Sequence, residues 1–118
     1  CRAMLRNIAA GLVLIGLVSV AAIARAPSSV DVRGQVGQFA TAEGVVDEVY
    51  DSRKATFIDL GGRYPNNVFT AVIWSEDADK FHAVDALRGK KVVITGLLTL
   101  YNGRKEIILR DAGQLKVE

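Results

Sequence analysis

Residues 91–110, KVVITGLLTLYNGRKEIILR, carry the clearest structural signal in the chain. Asn102-Gly103 stands between two runs rich in valine, isoleucine and leucine. This dipeptide is a strong indicator of a two-residue β-hairpin turn, because both of its residues tolerate positive φ. The stretch therefore predicts a strand over Lys91–Tyr101, a tight turn, and a second strand over Glu106–Arg110.

Three more strands are predicted upstream of this hairpin, separated by polar or glycine-rich turns. They are Thr41–Tyr50, Ala55–Leu60 and Val68–Trp74. The first alternates between two faces, with Val45 and Val49 on one side and Gly44, Val46 and Glu48 on the other. The central part of the chain is therefore expected to be mostly β-structure.

The segment after the third strand predicts a short helix. Ser75 is a favourable N-cap residue, and carboxylates follow it in the first turn, where they favour the helix dipole. Phe81, Val84 and Leu87 then recur at helical spacing, and Gly89 is a plausible stop.

The predicted order is three strands, a helix and a two-stranded hairpin. This is the order of the OB-fold, a five-stranded Greek-key barrel. The sequence thus predicts an all-β domain with one short helix and an OB-fold architecture. An SH3-like barrel is the main competitor, but it has no helix of this length at that position.

The N-terminal region has the pattern of a secretory signal peptide. Arg2 and Arg6 precede an uncharged apolar run over residues 8–23, and Ala24-Arg25-Ala26 has the A-x-A form of a cleavage site. Residues 1–26 are therefore predicted to be a signal peptide, with an uncleaved membrane anchor as the alternative. The protein is expected to be exported, either periplasmic or secreted, or else membrane-anchored.

The rest of the chain is predicted to contain a flexible lead-in over residues 27–38 and one folded domain over residues 39–118. Without residues 1–26 the chain has no cysteine, so the domain must be stabilised by core burial. It then has 12 basic and 13 acidic residues, a formal charge of −1. Overall charge therefore gives no support to nucleic-acid binding, which must depend on the local placement of basic residues.

Four segments of the predicted domain have characteristic sequences, AEGVV at 42–46, FIDLGG at 57–62, LRGKKVVITG at 87–96 and IILRD at 107–111. Together they resemble the OB-fold nucleic-acid-binding domains of the tRNA-anticodon type. The likeness covers residues 40–116 approximately. The resemblance implies a nucleic-acid-binding barrel in which Phe57 of the Phe-x-x-Leu phrase stacks on a nucleobase, with Leu60 as its partner in the core.

The candidate binding face follows from this expected fold. An OB-fold binds single strands on the face of its second and third strands and on the adjoining loops. With Ile58 and Leu60 in the core, Phe57 faces outward, and alternation on the next strand turns Thr70 and Trp74 outward as well. Aromatic rings stack on bases and basic side chains follow the backbone. The predicted nucleic-acid-binding residues are Phe57, Trp74, Thr70, Arg53, Lys54, Arg63, Tyr64, Tyr101, Arg104 and Lys105.

No catalytic, cofactor or metal site is predicted. A nucleophilic triad needs a base beside the nucleophile, and the only histidine, His82, lies in the predicted helix without a second histidine nearby. Glu76, Asp77 and Asp79 fit the start of a helix better than a calcium loop, since the loop glycine is missing. The chain is therefore expected to be a binding module and not an enzyme.

The leading prediction is an exported module that binds single-stranded nucleic acid without sequence specificity. The first alternative is an envelope binding module for a protein, a peptide or a saccharide, because OB-fold faces also accept oligosaccharides. A third possibility is an accessory domain to a separate nuclease. The membrane is expected as a partner only through an uncleaved N-terminal segment.

Overall fold

Seven strands and three short 3-10 helices make up residues 29–118, the part of the chain that the computed structural model describes. The strands are β1 (Val30–Arg33), β2 (Phe39–Asp51), β3 (Ala55–Leu60), β4 (Phe69–Trp74), β5 (Lys91–Tyr101), β6 (Arg104–Ile108) and β7 (Leu115–Val117). The 3-10 helices are Ser75–Lys80, Val84–Leu87 and Ala112–Gln114. The predicted all-β class is confirmed, whereas the predicted signal peptide over residues 1–26 lies outside the described residues.

Five of the strands pair in a closed ring. β2 is antiparallel to β3, β3 to β4, and β5 to β6, while β4 and β6 run parallel. An antiparallel pairing between β2 and β5 completes the ring. β1 adds to β2 and β7 adds to β5, so the two chain ends of the described region extend the sheet beyond this ring.

The core lies on the inner side of the ring and consists mainly of alternate residues of the five ring strands, to which Leu87 and Leu109 are added from outside the strands. Ile58, Leu60, Phe69, Ile94 and Leu98 are all fully buried there. Burial of a large aliphatic or aromatic side chain contributes about 1.5–3 kcal/mol. This alternation leaves the opposite faces of β3 and β4 available to line a binding surface.

The predicted alternation of β2 is wrong in one respect. Val46 and Val49 are both buried, and Gly44 is buried with them, whereas Val45 is only half-buried. The cause is a shift in the pairing with β3 between Val46 and Glu48, which inserts Asp47 as a bulge. An inserted residue reverses the alternation, so side chains three positions apart point to the same face.

The segment predicted as a flexible lead-in contains a strand. β1 pairs with the middle of β2, with Val30 opposite Gly44 and Arg33 opposite Thr41. Val30 and Val32 are partly buried and pack against the core. Two valines separated by one residue were too short a signal to indicate a strand from the sequence.

The predicted helix is replaced by two 3-10 helices, Ser75–Lys80 and Val84–Leu87. Ala83, with φ of 52°, adopts a left-handed conformation and separates them. Of the apolar residues that suggested a helix, Val84 and Leu87 lie in the second 3-10 helix, whereas Phe81 has extended backbone geometry after the first. Ser75 does not cap the first helix, since Trp74 holds the N-cap position. Within residues 29–118, no helix has the length and hydropathy needed to cross a membrane.

The hairpin predicted at Asn102-Gly103 is present, and both residues have positive φ, 53° and 78°. A Cβ atom at Gly103 would meet no other atom within 4 Å, so only backbone strain opposes a side chain there. We expect Gly103→Ala to lower the free energy of unfolding by about 1–2 kcal/mol, measured by urea denaturation.

Gly113 is the matched control for this substitution. Its surroundings are equally open and its φ lies outside the left-handed region, so Gly113→Ala should be neutral or slightly stabilising. Equal losses from the two variants would contradict the explanation by backbone strain.

Candidate functional site

A cleft of about 560 Å³ lies on the outer face of β2, β3, β4 and β6. Its lining combines aromatic rings with carboxyl groups, and we call it the aromatic–acidic cleft. The lining residues are Glu48, Tyr50, Phe57, Asp59, Tyr64, Thr70, Tyr101, Asn102, Arg104 and Glu106. The volume is in the range of clefts that bind small ligands.

The floor of the cleft is a row of polar residues that cross four strands in register. Glu48 of β2 lies opposite Asp59 of β3, Asp59 lies opposite Thr70 of β4, and Thr70 lies opposite Glu106 of β6. We call these four residues the polar row. Like charges directly opposite each other on neighbouring strands are destabilising, so the Glu48–Asp59 pair costs stability to maintain.

Aromatic residues border the polar row. Tyr50 and Phe57 are cross-strand partners that lie two residues along β2 and β3 from Glu48 and Asp59. Their rings are stacked, with centroids 6.4 Å apart. Tyr64 and Tyr101 come from the β3–β4 connection and the end of β5, and both are exposed. Exposed aromatic rings beside a concave site are typical of binding surfaces, because each supplies a large contact area with little conformational freedom to lose.

Asp59 is the most buried carboxyl group of the cleft, with only 2% of the residue exposed. Its Oδ1 atom accepts hydrogen bonds from Asn67 Nδ2 and from Thr70 Oγ1, both at 3.1 Å. The same amide donates to Thr70 Oγ1 at 2.6 Å and to the Phe69 carbonyl at 3.1 Å. Asn67, Asp59 and Thr70 thus form one buried hydrogen-bonded cluster beneath the cleft.

The pKa of Asp59 is raised from 3.8 to about 6. Burial is the largest cause of this shift, the hydrogen bond from the Thr70 hydroxyl opposes it, and the negative charge of Glu48 contributes to it. The pKa of Glu48 is lowered, chiefly because the Tyr64 backbone N–H donates to its carboxylate at 3.1 Å. Glu48 also forms a 3.4 Å ion pair with the exposed Arg63. A proton entering this pair therefore resides on Asp59.

Glu106 completes the polar row on β6. Burial raises the pKa of this carboxyl group, and the positive charge of Arg104 opposes the shift. Among residues 29–118, no cation lies within 4.0 Å of the carboxylate of Asp59 or of Glu106. The two deepest carboxyl groups of the cleft are therefore not neutralised by a direct ion pair within the described region.

Arg104 has a mainly structural role at the rim. It donates to the carbonyl oxygens of Pro65 at 2.7 Å and of Asn67 at 3.2 Å, and its guanidinium lies 5.2 Å from the centre of the Tyr64 ring. These contacts fasten the β3–β4 connection to β6. These two hydrogen bonds use two of the five guanidinium N–H donors, so Arg104 is held in place at the rim and adds positive charge there.

The structure brings together half of the predicted binding residues. Phe57, Tyr64, Thr70, Tyr101 and Arg104 line the cleft. The lining does not include Trp74, Arg53, Lys54, Arg63 or Lys105.

Of the four basic residues in this second group, Arg63 contacts the cleft through its ion pair with Glu48, and the other three lie away from it. Arg53 and Lys54 are exposed in the β2–β3 turn, and Lys105 is exposed on β6 between two residues that face the cleft. The predicted basic path for a nucleic-acid backbone therefore does not follow the cleft.

Five lining residues were not predicted from the sequence, namely Glu48, Tyr50, Asp59, Asn102 and Glu106. Alternation already turned Asp59 outward together with Phe57, so this signal was present in the sequence. The positions of Glu48 and Tyr50 depend on the bulge in β2, which alternation alone does not indicate. Despite its carboxyl groups, the cleft holds no cluster of three potential metal ligands, and none occurs elsewhere in residues 29–118.

Known proteins give no direct guide to the ligand of this cleft. No protein-family model matches the chain, and no curated protein or solved structure matches it. The functional assignment therefore depends on the chemistry of the cleft itself.

Proposed function

We propose that this chain is a binding module with an OB-type fold, and that the aromatic–acidic cleft binds a peptide or a segment of another protein. Support for the fold comes from the five-stranded ring, in which β2, β3, β4, β6 and β5 follow each other and β4 and β6 are parallel. Support for the location comes from the cleft, since OB-fold ligands lie across the second and third barrel strands, here β3 and β4.

The observation that carries the proposed ligand class is the lining of the cleft. Four aromatic rings and three carboxyl groups face a single space, with Arg104 as the one cationic side chain among the lining residues. Aromatic rings bind apolar and flat groups, and carboxylates accept hydrogen bonds from backbone and side-chain N–H donors. A peptide offers both kinds of group within a short length.

The same lining disfavours a polyanion. Nucleic-acid affinity comes largely from basic side chains that neutralise phosphates, and it falls as those contacts are removed. Here the polar row presents Glu48, Asp59 and Glu106 to the ligand. Phosphates near this row would meet repulsion, which is not screened fully at distances below about 8–10 Å.

The proposal is tested with the ¹⁵N-labelled full chain and a pool of blocked pentapeptides randomised at their three central positions. We expect shifts in the backbone amide resonances of Tyr50, Phe57 and Tyr101. Tyr101→Ala should weaken binding about tenfold, since loss of one exposed aromatic contact removes about 1–2 kcal/mol.

Phe39→Ala is the matched control, because Phe39 is an exposed aromatic residue of β2, 82% accessible, that does not line the cleft. It should bind the pool like the parent chain. Similar losses from Phe39→Ala and Tyr101→Ala, or no shifts in the cleft residues, would contradict the proposal.

Single-stranded nucleic acid is the second candidate ligand, supported by the stacked Tyr50–Phe57 pair and by the ring of strands. Base stacking on aromatic residues is worth about 1–3 kcal/mol per base. Titration with oligo-dT distinguishes the two candidates. Salt-sensitive shifts of Tyr50 and Phe57 with oligo-dT, and none with the peptide pool, would favour nucleic acid over peptide.

We also propose that the module acts outside the cytoplasm. The basic start, apolar run and A-x-A site within residues 1–26 support export. Expression in a secreting bacterial host followed by N-terminal sequencing tests this. A mature chain that begins at Pro27 would support cleavage, whereas an intact chain in the cytosolic fraction would contradict export.

A further inference from the structure

We propose that the aromatic–acidic cleft selects a basic side chain, and that the guanidinium group of an arginine residue binds against Asp59 and Glu106. This inference rests on the proposed function, since it names the part of the peptide that the cleft recognises. It is carried by the geometry of the polar row and by the charge of the lining.

The first step concerns charge. Asp59 is 2% exposed and lines the cleft, yet within residues 29–118 no cation lies within ion-pair distance of it. Glu106 lies on the other side of Thr70, is half-buried, and also has no cation within ion-pair distance in residues 29–118. Buried charges in proteins are normally paired, so two carboxyl groups facing one cleft favour a ligand that brings the missing positive charge.

The second step concerns spacing. Asp59 and Glu106 are both cross-strand partners of Thr70, so their strands are two strand spacings apart, about 9–10 Å. A guanidinium group that donates hydrogen bonds to the Asp59 carboxylate on one side and to the Glu106 carboxylate on the other can bridge this distance. It is planar and carries five donors in a fixed fork, which match carboxylate oxygens.

The third step concerns the aromatic rings. Tyr50 and Phe57 are each two residues along their strands from the polar row, on the same face of the sheet. A guanidinium group bound to the Asp59 carboxylate therefore lies beside their rings. A cation near an aromatic face gains about 0.5–2 kcal/mol, and arginine also stacks through its plane. Lysine can satisfy the charge but not the bidentate and stacking contacts, so arginine should bind more tightly.

The test uses the ¹⁵N-labelled full chain and four blocked pentapeptides, Ac-Gly-Gly-Xaa-Gly-Gly-NH₂, in which Xaa is arginine, lysine, citrulline or glutamate. Citrulline keeps the shape of arginine without its charge. We expect the arginine peptide to bind at least about tenfold more tightly than the citrulline peptide, because hydrogen bonds to charged groups exceed neutral ones by about 1–2 kcal/mol. The lysine peptide should be intermediate, and the glutamate peptide should cause no shift.

Two isosteric variants locate the site. Asp59→Asn and Glu106→Gln should each weaken the arginine peptide about tenfold and leave the citrulline peptide nearly unchanged. Glu76→Gln, at an exposed carboxylate outside the cleft, should change the affinity for neither peptide.

Affinity for the arginine peptide should also fall as the pH drops from 8 to 5, because Asp59 becomes protonated. The charged groups around Asp59 in the cleft are Glu48, Glu106 and Arg104. Asp59→Asn should remove most of this dependence.

The outcomes separate this inference from the proposed function. Equal binding of the arginine and citrulline peptides would overturn the inference and leave a peptide-binding module. Binding of the randomised pool without binding of the arginine peptide would do the same. If neither the pool nor the four peptides shift the cleft resonances while oligo-dT does, both the inference and the proposed function are wrong.

Discussion

Replacing Asp59 by asparagine is expected to raise the free energy of unfolding at pH 8 by up to about 3 kcal/mol. Burial raises the pKa of Asp59 from 3.8 to about 6, and each pKa unit corresponds to about 1.4 kcal/mol. A carboxyl group whose pKa is raised on folding stabilises the protein fully below its unfolded pKa, near 3.8, and loses this contribution as the pH rises through about 6. At pH 8 the ionised, buried group is therefore a net cost.

Asparagine suits this position because it removes the charge and keeps the acceptor. An Oδ1 atom at residue 59 can still accept from Asn67 Nδ2 and Thr70 Oγ1. Urea denaturation followed by Trp74 fluorescence should show the stabilisation at pH 8 and its disappearance near pH 4. Glu76→Gln, at an exposed carboxylate, should show no comparable pH-dependent difference. A stabilisation by Asp59→Asn that is equal at both pH values would contradict the explanation by ionisation.

A residue that lowers stability when ionised and yet lines a cleft is consistent with a binding role. Alanine, valine or threonine at position 59 would remove the repulsion from Glu48, its cross-strand partner. Functional sites often contain residues that lower the stability of the fold but are needed for activity or binding. The stability gain from Asp59→Asn and its expected loss of arginine-peptide binding are therefore two consequences of the same carboxylate.

Most of the strands could be predicted from the sequence, because alternation and turn residues act locally. β3 and β5 occupy the predicted residues, and the turn at Asn102-Gly103 follows from the two residues alone. The bulge at Asp47 could not be predicted, since it depends on how β2 pairs with β3 and leaves no local mark. β1 and β7 were missed because each is short and is stabilised by an existing strand edge.

The candidate site was predicted only in part for a different reason. Alternation on β3 correctly separated Phe57 and Asp59 from the core residues Ile58 and Leu60. It gave no register between strands, so the alignment of Glu48 and Glu106 with Asp59 was not visible. A nucleic-acid ligand would require basic residues in the cleft, whereas the register of the strands brings carboxyl groups together there.

The opposite effect on stability is expected at Asn67, which donates from one amide nitrogen to Asp59, Thr70 and the Phe69 carbonyl. Asn67→Ala removes one donor from each of these buried acceptors, although the Thr70 hydroxyl still donates to Asp59. Because one of the acceptors is charged, the substitution should lower the free energy of unfolding at pH 8 by about 3 kcal/mol. Within residues 29–118 the amide oxygen of Asn67 has no hydrogen-bond partner, so the donated hydrogen bonds account for the amide's stabilising role in this cluster.

A double-mutant cycle by urea denaturation tests the Asn67 prediction, with Asn66→Ala as the matched control because Asn66 is an exposed neighbour of the same type. Asn66→Ala should cost less than about 0.5 kcal/mol. In the Asp59→Asn background the cost of Asn67→Ala should fall by about 1 kcal/mol or more, because its strongest acceptor is then neutral. Strict additivity, or equal losses from the two asparagine variants, would mean that Asn67 acts through packing alone. Strong coupling would instead show that the hydrogen bond from Asn67 stabilises the buried carboxylate of Asp59. The negative charge proposed to select a basic ligand would then depend on this neutral amide.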